Sequence, residues 1–296
     1  MNDAAPIRAG LIGRGIQASS SPAIHEREAR AAGVALTYHL IDFDQMGLGD
    51  DALGAQLETL AGLGFSGVNV THPFKQAVMP LLDEIEDTAA ALGAVNCVAF
   101  RNGRSYGFNS DWTGFAFLLE HELGDAAQRC VAQLGAGGAG SATAYALLAR
   151  GVEELRLCDT AAERAGDLAA RLQAQFPAAR IIVTGDPAAA ITGAEGVVQA
   201  TPIGMKVHPG VPFDPNLLDP GQWLADIIYF PRETELVLAA KARGVRAVGG
   251  SAMVVGQASA PFRQFTGCEP DRERMLREFL AADLASDGAN GEACAA

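Results

Sequence analysis

Two groups in this chain have residue types and spacing that could do chemistry. Lys75 closes NVTHPFK (69–75), where the short apolar run GFSGVNV gives way to polar residues and a proline. Lysines are mostly exposed, so one reading of Lys75 is a surface charge; the other is a proton-transfer group held at the carboxyl end of a strand. Gly135, Gly137 and Gly140 form GxGxxG directly after the apolar run RCVAQL and ahead of a helical pattern. In that context the first glycine makes a tight turn, the second lets the backbone approach a pyrophosphate, and the third packs helix on strand. The helix N-terminus then faces the phosphates. Asp159 lies 24 residues past Gly135, at the end of ELRLCD. A carboxylate there can accept hydrogen bonds from a ribose diol and repel a 2′-phosphate, or it can cap the next helix. NAD is therefore the expected cofactor, with Arg164 the nearby cation that pulls toward NADP.

These groups need elements to hold them. The run IRAGLIG reads as a strand, and Ser21 is placed to cap a helix with Pro22 at its first position. TYHLIDFD alternates as a second strand, DALGAQLETLAGLG has helical spacing that stops at glycine, and FSGVNVTH is a third strand. KQAVMPLLDEIEDTAAALG is expected to be helical, with Pro80 breaking or restarting it. AVNCVAFRNGRSYGFNSD reads as a hairpin turning at Asn102-Gly103. WTGFAFLLEHELG is a helix leading out of this region. Beyond it, RCVAQL, ELRLC, ARIIVTG, AEGVVQ, QWLADIIY and VRAVGG are apolar strands, with helical stretches between some of them. That alternation is the pattern of a parallel sheet covered on both faces. Two helical stretches, SAMVVGQASAPFRQFTG and DRERMLREFLAADLA, precede a small polar tail expected to fray.

The 296 residues are 49% hydrophobic, enough for two sizeable cores, and the 19% charged content does not suit a disordered chain. The formal net charge is -13 and no run of Lys and Arg appears, which argues against nucleic acid as a partner. A small anionic substrate remains compatible, because a pocket can be locally positive in an acidic protein. Cys97, Cys130, Cys158, Cys268 and Cys294 are scattered without a CxxC pair, as expected of free thiols in a reducing, cytoplasmic setting. MNDAAPIRAG is too polar for a signal peptide, and no apolar stretch is long enough for a membrane span. The histidines and cysteines show no metal spacing, so no metal is assigned.

Several separate motifs resemble those of the shikimate dehydrogenase family, most closely its NAD-preferring quinate/shikimate branch, from about Leu11 to Thr266. They are NVTHPFK, GAVN (93–96), GFNSDWTG (107–114), LGAGGAG, QATPIGM (199–205), DIIYFPRETEL (226–236) and MVVGQASAPFRQFTG (253–267). The resemblance implies a two-domain α/β fold. Residues 1–113 would form a substrate domain with a mostly parallel sheet, and 114–251 a Rossmann-type NAD-binding domain. Residues 252–287 would be helices returning to the first domain, with a flexible tail at 288–296. In the family the active site lies in the cleft between the domains.

The implied reaction is reversible, NAD-dependent oxidation of a ring secondary alcohol of shikimate or quinate, small anionic polyols, by a monomer or homodimer. Lys75 and Asp111 would be the catalytic pair. Ser19 and Ser21 would hold the substrate carboxylate, and Asn69, Thr71, Asn96 and Gln257 would read the ring hydroxyls, with Tyr229 near the substrate. Gly135, Ala136, Gly137, Gly138, Ala139, Gly140, Asp159, Arg164, Thr201, Pro202, Met205, Gly250 and Met253 would form the cofactor site, although Met253 equally suits core packing. An aminoshikimate or general biosynthetic shikimate dehydrogenase of the same fold, and a non-catalytic dinucleotide-binding regulator, are the alternatives. Ala18, Glu26 and Cys158-Asp159-Thr160 depart from common family residues; the last lacks the arginine of NADP-using members. Ser21 stands where quinate-favouring relatives often place threonine, and so leans toward shikimate.

Overall fold

The apolar runs and amphipathic helices fold into two units, Met1–Ser110 with Gln257–Ala296, and Asp111–Gly256. The computed structural model describes residues 6–292. In chain order the first unit has β1 (Ile7–Gly13), α1 (Ser21–Ala31), β2 (Leu36–Asp42), α2 (Phe43–Met46), α3 (Leu53–Gly62), β3 (Phe65–Val70), β4 (Glu84–Ile85), α4 (Asp87–Leu92), β5 (Cys97–Arg101) and β6 (Arg104–Phe108). The sheet order is β2-β1-β3-β5-β6-β4. β1 pairs in parallel with β2 and β3, while β3 with β5 and β5 with β6 are antiparallel. Alternation along each strand sends residues to opposite faces. Ile12, Val68 and Val98 pack with Leu53, Leu57 and Leu60 of α3, whereas Ala9, Leu11, Tyr38 and Cys97 form a second cluster with Phe265. The expected hairpin is present, with Asn102 (φ 51°) and Gly103 (φ 73°) in the left-handed region its tight turn requires.

Two local expectations are corrected. KQAVMPLLDEIEDTAAALG does not form a long helix. It makes turns, a 3-10 turn at Met79–Leu81, the short β4 and then α4. β4 pairs with β6, and Asp83 and Ser105 bond to each other, with Ser105 N to Asp83 Oδ2 at 2.7 Å. Edge pairing has overridden helix propensity, and Pro80 could not supply an interior helix N–H. Ser21 is not a cap either: α1 begins at Ser21, its cap residue is Ser20 without a side-chain bond, and Ser19 Oγ accepts from Ser21 N at 3.2 Å.

The second unit contains α5 (Asp111–Leu123), β7 (Cys130–Leu134), α6 (Gly138–Ala149), β8 (Glu154–Cys158), α7 (Ala162–Gln175), β9 (Arg180–Thr184), α8 (Pro187–Ile191), β10 (Gly196–Gln199), β11 (Trp223–Asp226), α9 (Glu235–Ala242) and β12 (Arg246–Val248). Its strands lie in the order β12-β11-β10-β7-β8-β9, all parallel. This is the Rossmann order, with its switch point beside β7.

α10 (Ser251–Thr266) and α11 (Arg272–Glu292) follow, and α11 packs on α1 of the first unit. The expected tail at 288–296 overlaps α11 as far as Glu292; residues 293–296, including Cys294, lie outside the described residues. Among the described residues no helix is long and apolar enough to cross a membrane. The α1–α11 contact centres on Glu28, which is fully buried. It accepts from Arg274 Nη2 at 2.6 Å, Arg274 Nε at 3.0 Å and Asp271 N at 2.8 Å. Removing that carboxylate strands these donors. Glu28→Ala should therefore lower the unfolding free energy by about 2–4 kcal/mol, with Glu28→Gln losing less because it keeps an acceptor. Urea titration measures both, and an unchanged midpoint in Glu28→Ala would refute the role.

Candidate functional site

In the first unit, Phe74 is the anchor of the segment after β3. It is 1% exposed and its ring centroid lies 4.6 Å from that of Phe43. Its neighbour Lys75 is half-buried, and Lys75 O accepts from Val95 N at 2.8 Å. Thr71 is half-buried on the same segment and donates its N–H to Ile12 O. His72 is exposed, and its carbonyl accepts from Arg14 N at 3.1 Å. Asn96 is buried, and its Oδ1 accepts from Ser110 N at 2.7 Å, fixing the segment that enters α5. Gln257 is half-buried on α10; Asp111, which opens the second unit, is the first residue of α5 and is buried.

Asn69 is held by a residue that the sequence did not single out, while Ser19 and Ser21 bond to each other. Tyr38 Oη donates to Asn69 Oδ1 at 2.8 Å, and the Ser19 hydroxyl donates to that of Ser21 at 3.2 Å. Asn69 Nδ2 in turn donates to Asn96 O at 3.3 Å. The signal was present in TYHLIDFD: a tyrosine on the buried side of an alternating strand needs a partner for its hydroxyl. Burial raises the Tyr38 phenol well above its ordinary pKa, so it stays a donor.

In the second unit, Gly135 turns the chain at φ 99°, and a Cβ there would lie 2.5 Å from Ala200 O. A Cβ at Gly140 would collide with Gly135 O. Gly137 and Gly138 instead face open space, as a turn must where a pyrophosphate is to approach. Gln133, fully buried and also missed from sequence, holds the turn: its Nε2 donates to Gly135 O at 2.9 Å and Gly140 O at 2.7 Å. Asp159 closes the other side. Its carboxylate accepts from Ala136 N at 2.7 Å, Ala161 N at 2.8 Å, and Arg164 Nη2 and Nε at 2.6 and 3.2 Å. Burial alone would raise its pKa, but the Arg164 and backbone bonds outweigh it and hold the carboxyl below its ordinary value. Of the two roles open from sequence, these bonds show the tie to the next helix, through Ala161 N.

A cavity of about 570 Å³ opens in front of the turn, with Gly137, Ala139, Thr201, Pro202, Met205 and Tyr229 in its wall. Gly250 and Met253 are not in that wall: Gly250 N donates to Ile228 O at 2.9 Å, and Met253 is buried. Two buried side chains shape the cavity's loops. Gln199 Nε2 donates to Thr201 O at 3.0 Å and Ile203 O at 2.8 Å. Asp226 accepts from Ile228 N at 3.0 Å and Thr234 Oγ1 at 2.7 Å. The open glycine face, the acid at the end of β8 and the largely apolar cavity fit a dinucleotide. No group of three or more His, Cys, Asp or Glu that could hold a metal ion occurs among the described residues.

Comparison with known proteins gives the following. The model of the shikimate dehydrogenase substrate binding domain matches residues 11–98. A shikimate dehydrogenase (NADP(+)) of Streptomyces avermitilis is 46% identical over 95% of this chain and 96% of its own. A quinate/shikimate dehydrogenase (NAD(+)) of Corynebacterium efficiens is 47% identical over 92% of this chain and 97% of its own. The structure of a quinate dehydrogenase from Corynebacterium glutamicum in complex with NAD superposes with a TM-score of 0.87 at 42% identity, covering 93% of this chain and 99% of that one.

Asp226 gives the second unit a measurable pH response. Burial raises its carboxyl to about 6, against the bonds from Ile228 N and Thr234 that lower it. A folded pKa above the unfolded one means that its contribution is fully present below the unfolded pKa, near 3.8, and is lost as pH rises toward about 6. Asp226→Asn should therefore gain on wild type by about 2–3 kcal/mol between about pH 4 and pH 7. Thermal unfolding of both proteins across that range checks it; parallel curves would show that Asp226 does not titrate there.

Proposed function

The chain belongs to the shikimate dehydrogenase family, and on that premise we propose that it oxidises the ring secondary alcohol of shikimate or quinate to the ketone, reversibly, with NAD. The observation that carries this reading is the set of hydroxyls and amides at Ser19, Ser21, Asn69 and Asn96, the serines bonded to each other and Asn69 held by Tyr38 and the Asn96 backbone. Such groups suit an acid with several hydroxyls, because each buried hydroxyl needs a partner and a missing one is penalised.

Oxidising a secondary alcohol removes a proton and a hydride; NAD when bound supplies the hydride acceptor. In this reading Lys75 receives the proton of the reacting hydroxyl or stabilises the oxyanion as it develops, with Asp111 as the second member of the catalytic pair. Phe74 limits the freedom of Lys75 by holding its backbone in the core. Ser19 and Ser21 take the carboxylate. Asn69, Thr71, Asn96 and Gln257 read the hydroxyls, and Tyr229 adjoins the substrate.

The relatives include NADP and NAD enzymes at nearly equal identity, so overall likeness leaves the cofactor undecided. Asp159 favours NAD: a 2′-phosphate would meet a carboxylate held in its charged form. The ribose diol must compete with Arg164 for the same oxygens. The four described cysteines are free, which supports a reducing, cytoplasmic compartment.

Cofactor reduction by the purified protein with shikimate or quinate, and NAD or NADP, is the direct test; no turnover of either acid would overturn the reading. Lys75→Ala should lower kcat about 10²–10⁴-fold while leaving the Kd for NAD unchanged, since Lys75 lies outside the nucleotide turn. Near-normal turnover would remove it from the mechanism. Asp159→Arg should narrow or reverse the NAD preference in kcat/KM, and a wild type that already prefers NADP would instead make Arg164 a phosphate ligand.

A further inference from the structure

We propose that Tyr38 is a positioning residue of the substrate site, setting the orientation of the Asn69 amide through the hydrogen bond from its phenol. This rests on the shikimate or quinate reading above and adds a residue to it.

A phenol carries one hydrogen. Tyr38 spends it on Asn69 Oδ1, at 2.8 Å. That bond fixes which side of the amide is oxygen: Oδ1 faces Tyr38, and Nδ2 faces Asn96 O at 3.3 Å with a second hydrogen beyond that bond. Asn69 is thereby set to offer an N–H to a ligand hydroxyl. Ser19 Oγ donates to Ser21 Oγ at 3.2 Å. A carboxylate arriving at Ser19 and Ser21 takes their hydrogens, whereas Tyr38 keeps its own on Asn69. The amide stays oriented while the serines exchange partners.

Tyr38 itself is held on several sides. It is 7% exposed, its N–H donates to Glu26 Oε1 at 2.9 Å, and β1 pairs with it at Ala9. The imidazole of His25 stacks on its ring at 4.6 Å and 14°. His25 is 1% exposed and its Nδ1 has no hydrogen-bond partner; burial lowers its pKa to about 3, so the stack is neutral. An apolar face against the ring and a polar tip toward Asn69 leave the hydroxyl little alternative to this geometry.

Tyr38→Phe keeps the ring and the stack and deletes only the hydroxyl. It should raise KM for the acid substrate about five- to tenfold, leave kcat within about twofold and leave the Kd for NAD unchanged. If Tyr38 acts through Asn69, Tyr38→Phe should add little in an Asn69→Ala background, whereas independent effects would multiply. An unchanged KM, or multiplying effects in the double variant, would overturn the proposal. So would a Tyr38→Phe protein that fails to fold, because the hydroxyl would then be structural. A wild type inactive on both acids would overturn the functional reading itself, which separates the two failures.

Discussion

The constraint on which the rest depends is the supply of hydrogen bonds at the carboxyl ends of the strands. There the ladder stops, the following loop must stay open to ligand, and each buried backbone group left unpaired costs about 1–3 kcal/mol. This chain answers with a buried polar side chain at the strand end. Asp42, the last residue of β2, accepts from Gly15 N, Ile16 N and Asp44 N. Gln133 ties the glycine turn, Asp159 its far side, Gln199 the loop through Ile203, and Asp226 the loop through Ile228. Loops held in this way keep their donors aimed without spending binding energy on ordering them.

The same solution has different electrostatic consequences according to how many donors each carboxylate finds. Asp42 and Asp159 each receive several donors, and both are held below the ordinary carboxylate range. For Asp42 the Gln17 bond is the largest influence; for Asp159 burial is the largest but is outweighed by the Arg164 and backbone bonds together. Asp226 has one amide and one hydroxyl, and there burial prevails. A deeply buried carboxyl with few donors titrates near neutrality, whereas several donors keep a less buried one a permanent anion.

The first unit is assembled from both ends of the chain. One face of its sheet is covered by α3, close in sequence to the strands. The other face needs Phe265, and α1 needs the Arg274 and Asp271 donors. The second face is therefore completed by contacts of long sequence separation, whose gain must offset the entropy of loop closure. A domain of this build depends on the α10 and α11 segments for stability as well as for Gln257.

Much of the protein was legible in the sequence. Apolar runs at the correct spacing gave nearly every strand; GxGxxG with Asp159 gave the nucleotide turn; NVTHPFK and its companion motifs gave the family. These signals are local, so they survive without a structure. What the sequence left undecided depends on partners far along the chain. The segment 75–93 has helical composition, yet pairing of β4 with β6 decides it. Gln133, Gln199 and Asp226 looked like polar residues in apolar runs until their loops folded back onto them. Tyr38 looked like an ordinary strand residue until parallel pairing of β1 with β2 and β3 brought its hydroxyl to Asn69 of β3. The physical reason is the same in each case: a hydrogen bond depends on distance and direction in space, and only the tertiary fold brings residues tens of positions apart within its reach.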